Sequence, residues 1–222
     1  MPLLSRTRAT RPSQWTAQTS PSLWSNPSTG RWFAAEHWDV VPDLMTFAKG
    51  VNSGYVPLGG VIVDEPIGKH FEDHVLWQGL TYSGHALACA AGVATMETYA
   101  DERVIENAAR IGDLLMRELK ALQARHPSVG DVRGKGLMCG IELVKDRGTK
   151  EALERWNGPS QALAGALRTA LMKRDVYVMC RWNLMVVAPP LIIREDELRI
   201  GIQAIDEALD IADRYAATGK LS

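Results

Sequence analysis

The chain has 222 residues, 46% of them apolar and 23% charged, which is enough length and hydrophobic content for one or two packed cores and excludes a disordered polymer. Its 25 basic and 26 acidic residues are intermixed and leave a net charge of -1, so there is no electrostatic footprint for nucleic acid or an anionic membrane, and a small molecule is the expected ligand. Three widely spaced cysteines, Cys89, Cys139 and Cys180, lie among apolar or small residues and are expected as buried free thiols of a cytoplasmic protein, not as a disulfide framework.

The first 30 residues are rich in Arg, Ser, Thr, Pro and Trp and show neither helical nor strand periodicity. Their prolines and tryptophans make poor material for an amphipathic transit peptide. From Arg31 onward the texture changes to apolar runs, glycine turns and amphipathic stretches. Leu44 to Ala48, closed by Lys49-Gly50, and Val61 to Val63, introduced by Gly59-Gly60, read as buried strands around a glycine-punctuated loop. Residues 85 to 99 are small and apolar almost throughout and read as a buried helix. Val104, Ala108, Ile111, Leu115, Leu119 and Leu122 form a one-sided stripe, which predicts a long helix from about 102 to 124 able to bridge two lobes.

Strands are expected at Met138 to Val144, Val176 to Met179 and Leu184 to Ala188, with a helix bearing Leu163, Leu167 and Leu171 between the first two. A last helix follows Pro189-Pro190, with Leu198, Ile202, Ile205, Leu209 and Ala212 on one face. Helices and strands alternate, so the class is α/β or α+β. No run of about 18 apolar residues is available to span a membrane.

Lys49 is the residue with chemical promise. It ends a strand-like run immediately before Gly50, and Asn52, Ser53, Gly54, Gly59 and Gly60 follow. Ligands bind at the carboxyl ends of strands in open α/β sheets, and glycine lets backbone approach a cofactor closely. A lysine withdrawn from water there loses hydration of its ammonium, so its pKa falls and the neutral amine can attack an aldehyde. The competing reading is one more solvated surface lysine, and spacing alone does not decide between them.

A resemblance adds weight. The stretch GRWFAAEHWDVVPDLMTFAKGVNSGYVPLGGVIV from Gly30, then GLTYSGHALACAAG at 79 to 92, DVRGKGLMCGIEL at 131 to 143 and VAPPLIIREDEL at 187 to 198, resembles class III (omega) aminotransferases in order and spacing. It implies a partial fold-type I pyridoxal-phosphate-dependent transferase: the C-terminal part of a large mixed-sheet domain over residues 31–124, with a small α+β domain over 125–222. It also implies pyridoxal 5'-phosphate held as a Schiff base on Lys49, and transfer of an amino group from a primary amine or omega-amino acid to an oxo acid such as pyruvate. A decarboxylase or aminomutase of the same fold is the variant reading.

By the same resemblance Thr81 binds the cofactor phosphate in the partner subunit of a homodimer, and Arg181 pairs with a substrate carboxylate. A turn-forming threonine and a structural salt bridge are the respective alternatives. Tyr55 and Trp77 are candidate pocket residues by proximity to these motifs, and His85 is expected to be structural. In relatives a proline follows that histidine, where this chain has Ala86. The resemblance further implies an N-terminal half carrying a phosphate loop and a pyridine-binding aspartate, which are not recognisable here. Residues 1–30 are accordingly expected as an atypical leader, disordered or translated out of frame, and a noncatalytic fragment is the second functional class. Uncovered apolar faces and strand edges are expected to follow from that.

Overall fold

A computed structural model describes residues 27–221. The atypical leader expected from the sequence lies, over residues 1–26, outside the described residues. Pro27–Thr29 form a short 3-10 turn in which Pro27 and Thr29 are buried, and the Leu137 amide donates to the Ser28 carbonyl at 2.6 Å. Residues 27–30 therefore belong to the packed body, and the expected break at Gly30 falls inside it.

Strands β1 (Leu44–Ala48) and β2 (Gly59–Val63) pair antiparallel as a two-stranded ribbon, with Leu44 opposite Val63 and Phe47 opposite Gly60. The Phe47 ring lies over Gly60, so that a Cβ there would sit 2.5 Å from the ring. Helix α1 (Glu65–Asp73) follows; the Asp64 carboxylate accepts from the Glu65 amide at 2.9 Å and a proline stands in its first turn, which together start the helix. Helix α2 (Ala86–Asp101) buries Ala88, Gly92, Thr95 and Tyr99 only. Leu87 and Val93 are exposed, as are Leu44, Val61 and Ile62 of the ribbon. The strands and helix expected to be buried are thus largely open to solvent, because among the described residues nothing covers their outer faces.

The core lies in the second part of the chain. Helix α3 (Val104–Arg125) buries the whole predicted stripe from Val104 to Leu122. It packs on β3 (Val129–Lys135) and β4 (Met138–Asp146) of an antiparallel sheet in which β7 (Leu184–Val187) pairs with β4 on one side and β6 (Met179–Arg181) on the other, and the two-residue β5 (Glu151–Ala152) also pairs with β4. Helices α4 (Ala162–Met172) and α5 (Glu195–Thr218) complete the helical layer through Leu163, Leu167 and Leu171 and through Leu198, Ile202, Ile205, Leu209 and Ala212, all buried. Cys139 and Cys180 sit in this core, where burial pushes both thiols up to about 11, Arg168 opposing the shift at Cys180. Cys89 is exposed, contrary to expectation.

Three differences from the sequence reading have local causes. β3 was not expected: a bulge between Val129 and Asp131 spaces its buried residues Val129 and Val132 three apart, which hides the period-two pattern. β6 begins at Met179 instead of Val176, because the hairpin turn Trp182-Asn183, with Trp182 at φ 47°, sets Arg181 opposite Leu184. α1 buries none of its residues and so carried no core stripe to recognise.

Two local contacts fix α3, one to the β3–β4 turn and one, just past its end, to α5. Gly112 of α3 abuts the backbone of Gly136 at the β3–β4 turn, and Gly136, at φ 54°, lies against Ser28 and Thr29. The buried His126, just past α3, is bonded on both ring nitrogens, Nε2 to Asp206 and Nδ1 to Asp213, each at 2.7 Å. Two carboxylates can be satisfied together only by the doubly protonated ring. Burial pulls its pKa down, but the bonds to Asp206 and Asp213 outweigh that and the net shift is upward. Arg147 donates to the Val129 and His126 carbonyls at 3.0 and 2.6 Å, satisfying backbone acceptors at the end of α3.

Gly112→Ala is expected to cost about 1–3 kcal/mol in urea unfolding, since the added methyl must displace backbone. A gain of about 1 kcal/mol, as helix propensity alone gives, would show that the two backbones do not approach so closely. The His126 contribution to stability is fully present below the unfolded value near 6.5 and is lost as pH rises through the raised folded value. Melting temperature should therefore fall across that alkaline-going window, and His126→Gln should flatten the slope.

Candidate functional site

Lys49 stands at the end of β1 as the first residue of a 3-10 turn, Lys49–Val51, with φ 54°. Ser53 at φ 52° and Gly54 at φ 81° repeat the left-handed conformation. Side-chain bonds hold this loop. Asn52, 2% exposed, donates to the Val56 carbonyl and accepts from the Gly54 amide at 3.1 Å. Its own amide donates to the Lys49 carbonyl at 3.3 Å, and its carbonyl accepts from the Tyr55 amide at 3.1 Å.

From α2, the Tyr99 hydroxyl donates to the Gly50 carbonyl at 3.1 Å and lies 2.9 Å from Ser53 Oγ. Gly92 of the same helix meets Leu58 and Val51, and the absence of a side chain there lets α2 approach the loop. The sequence reading named Asn52 and Ser53 only as neighbours of Lys49 and did not single out Tyr99. The available signal was its place as the one polar aromatic at the end of a small-residue helix.

The Lys49 side chain is exposed and makes no hydrogen bond or ion pair among the described residues. Among the described residues nothing withdraws its side chain from water. Thr81 is exposed in a turn ahead of α2, where the Ser83 amide donates to the Leu80 carbonyl at 2.9 Å and Gly84 has φ 67°. His85 is structural, as expected: its ring caps α2 by accepting from the Ala88 amide at 3.5 Å.

Tyr55 and Trp77 are 82% and 91% exposed. Arg181 closes β6 on the other sheet, exposed and without an ion pair among the described residues, so the salt-bridge alternative has no partner there. A groove of about 500 Å³ between the β7 end and α5, lined by Tyr177, Val187, Pro190 and Leu198, touches none of the five candidates.

The pattern of the aminotransferase class-III family matches residues 27–209. The chain belongs to the class-III aminotransferase family. Among class-III relatives, a taurine–pyruvate aminotransferase of Bilophila wadsworthia is 35% identical over 195 residues, 84% of this chain and 42% of the relative. The solved taurine:2-oxoglutarate aminotransferase of Bifidobacterium kashiwanohense, in complex with pyridoxal phosphate and glutamate, is 38% identical with a TM-score of 0.78, over 85% of this chain and 42% of that one. A thermostable (S)-enantioselective omega-transaminase from Thermomicrobium roseum is 41% identical with a TM-score of 0.75, over 84% and 41%.

The described fold is thus a partial fold-type I arrangement, and the chain spans about two-fifths of the length of these class-III relatives. Among the described residues no helix is long and apolar enough to cross a membrane.

Asn52→Ala strips the loop of two bonds while leaving the strands intact. Amide exchange at Gly54 and Tyr55 should accelerate by at least tenfold, with exchange in β4 unchanged. Equal protection in both proteins would show that Asn52 does not hold the loop.

Proposed function

We propose that this chain carries the lysine-bearing part of an aminotransferase that moves an amino group from a primary amine or omega-amino acid to an oxo acid such as pyruvate, using pyridoxal 5'-phosphate. The observation that carries this reading is a lysine with a free side chain on a backbone turn fixed by Asn52 and Tyr99, inside a family-matched segment. The donor set suits two groups of the cofactor. Lys49 offers a primary amine to its aldehyde, and the Thr81 hydroxyl with its neighbouring turn amides offers donors to the phosphate of the cofactor held by the partner subunit of a homodimer.

When bound, the cofactor supplies an electron sink for the bond cleaved at the amine carbon. Lys49 then has two tasks, to hold the aldehyde and, once displaced by the incoming amine, to take up and return a proton. Arg181 presents a planar fork suited to the carboxylate of the oxo acid. Taurine or an aliphatic diamine is a reasonable first donor to try, because relatives that act on taurine and putrescine with pyruvate are 35% and 33% identical to this chain.

A second reading, a chain without activity of its own, is favoured by a different observation. Trp38, Val41, Tyr55, Trp77 and Leu80 are all more than half exposed, and Lys49 is exposed as well. Water competes there for an amine whose chemistry benefits from its exclusion.

Mixing the purified chain with pyridoxal phosphate separates the two. The aminotransferase reading expects a visible absorption band that is absent in Lys49→Ala, and alanine formed from pyruvate and an amine donor. A band without alanine supports the second reading, and a band that survives in Lys49→Ala removes Lys49 from the proposal.

A further inference from the structure

We propose that Tyr99 is a positioning residue, whose hydroxyl fixes the turn that aims Lys49. The claim rests on the role proposed for Lys49. Lys49 and Ser53 both occupy left-handed backbone conformations that side chains with a Cβ adopt only when their surroundings impose them. The ribbon cannot impose them, because its ladder ends at the pair Ala48 and Gly59. Asn52 closes the far side of the loop through Val56 and Gly54. The side next to Lys49 is closed by Tyr99.

A tyrosine has one proton to give. Donated to the Gly50 carbonyl at 3.1 Å, it leaves the phenol oxygen to accept from Ser53 Oγ at 2.9 Å. One oxygen atom thereby ties both ends of the turn, one residue after Lys49 and at Ser53. The ring itself is held: Tyr99 is 9% exposed, and the Trp32 ring lies 6.1 Å from it at 45°. The hydroxyl is thus a fixed point, and the Lys49 side chain departs from a backbone it defines. Without it the Gly50 carbonyl and Ser53 lose their partner, and Lys49 and Ser53 relax toward ordinary conformations that point the amine elsewhere.

Tyr99→Phe in the full chain keeps the ring and deletes the oxygen. The protein is treated with pyridoxal phosphate and borohydride, and modification at each lysine is read by peptide mass spectrometry. Labelling of Lys49 is scored against the exposed Lys69 of α1 in the same molecules, so that differences in reagent and protein concentration cancel. We expect the Lys49-to-Lys69 ratio to fall at least fivefold in Tyr99→Phe and in Ser53→Ala, with far-ultraviolet circular dichroism unchanged.

An unchanged ratio in Tyr99→Phe overturns the proposal. If that variant fails to fold, an unchanged ratio in Ser53→Ala does the same. Amide exchange at Asn52 and Tyr55 supplies a readout without cofactor: faster exchange in Tyr99→Phe supports the positioning role, and unchanged exchange refutes it. Equal labelling of Lys49 and Lys69 in the unaltered chain sinks the reading of Lys49 as the cofactor lysine, and exchange alone then decides the role of Tyr99.

Discussion

A lysine that must meet one reacting atom repeatedly needs its backbone held in one orientation, and here that constraint falls on a loop whose two ends are fixed by a strand pair and whose interior follows no regular ladder. The buried Asn52 imitates backbone, accepting one amide and donating to one carbonyl where no strand supplies partners. Tyr99 anchors the same loop to a helix, and Gly92 lets that helix come close enough to do so. Remove those bonds and the ribbon survives, while the orientation of Lys49 does not.

The rigid body against which this loop is set is the two-layer unit formed by α3, α4 and α5 on the antiparallel sheet. Its interior is nearly all aliphatic, with Ile111, Leu115, Leu119, Ile141, Leu167 and Met185 fully buried. Interiors of this kind gain from close packing over many contacts. The segment from residue 31 to 103 has no comparable core: Ala34, Ala35, Ala88 and Tyr99 are buried, most of its larger apolar side chains are exposed, and side-chain hydrogen bonds and one face of α2 hold the Lys49 loop. The chain therefore joins a self-sufficient unit to one that depends on polar pins.

This contrast also explains what could be read from the sequence. The stripes of α3, α4 and α5 were legible residue by residue, because each apolar position at helical spacing is buried against the same sheet. Hydrophobic pattern misled in the first segment, where Leu44, Val61 and Leu87 look like core residues but meet solvent. Lys49 was visible as a candidate through its glycine-rich setting and through family likeness. The bonds of Tyr99 were not, since a contact across almost fifty residues leaves no local periodicity. The β3 bulge and the Trp182-Asn183 turn were hidden for a related reason: each rests on one unusual backbone angle or register step that composition does not announce.

The meeting of Gly112, Gly136 and Ser28 has a mechanical meaning beyond its contribution to stability. Because the Leu137 amide grips the Ser28 carbonyl at the tip of the β3–β4 hairpin, the strand of chain that leads toward β1 starts from the sheet of the other unit. The two units are therefore joined at two places, here and through the long helix α3, and the lead-in to β1 and Lys49 is tethered to the five-stranded sheet.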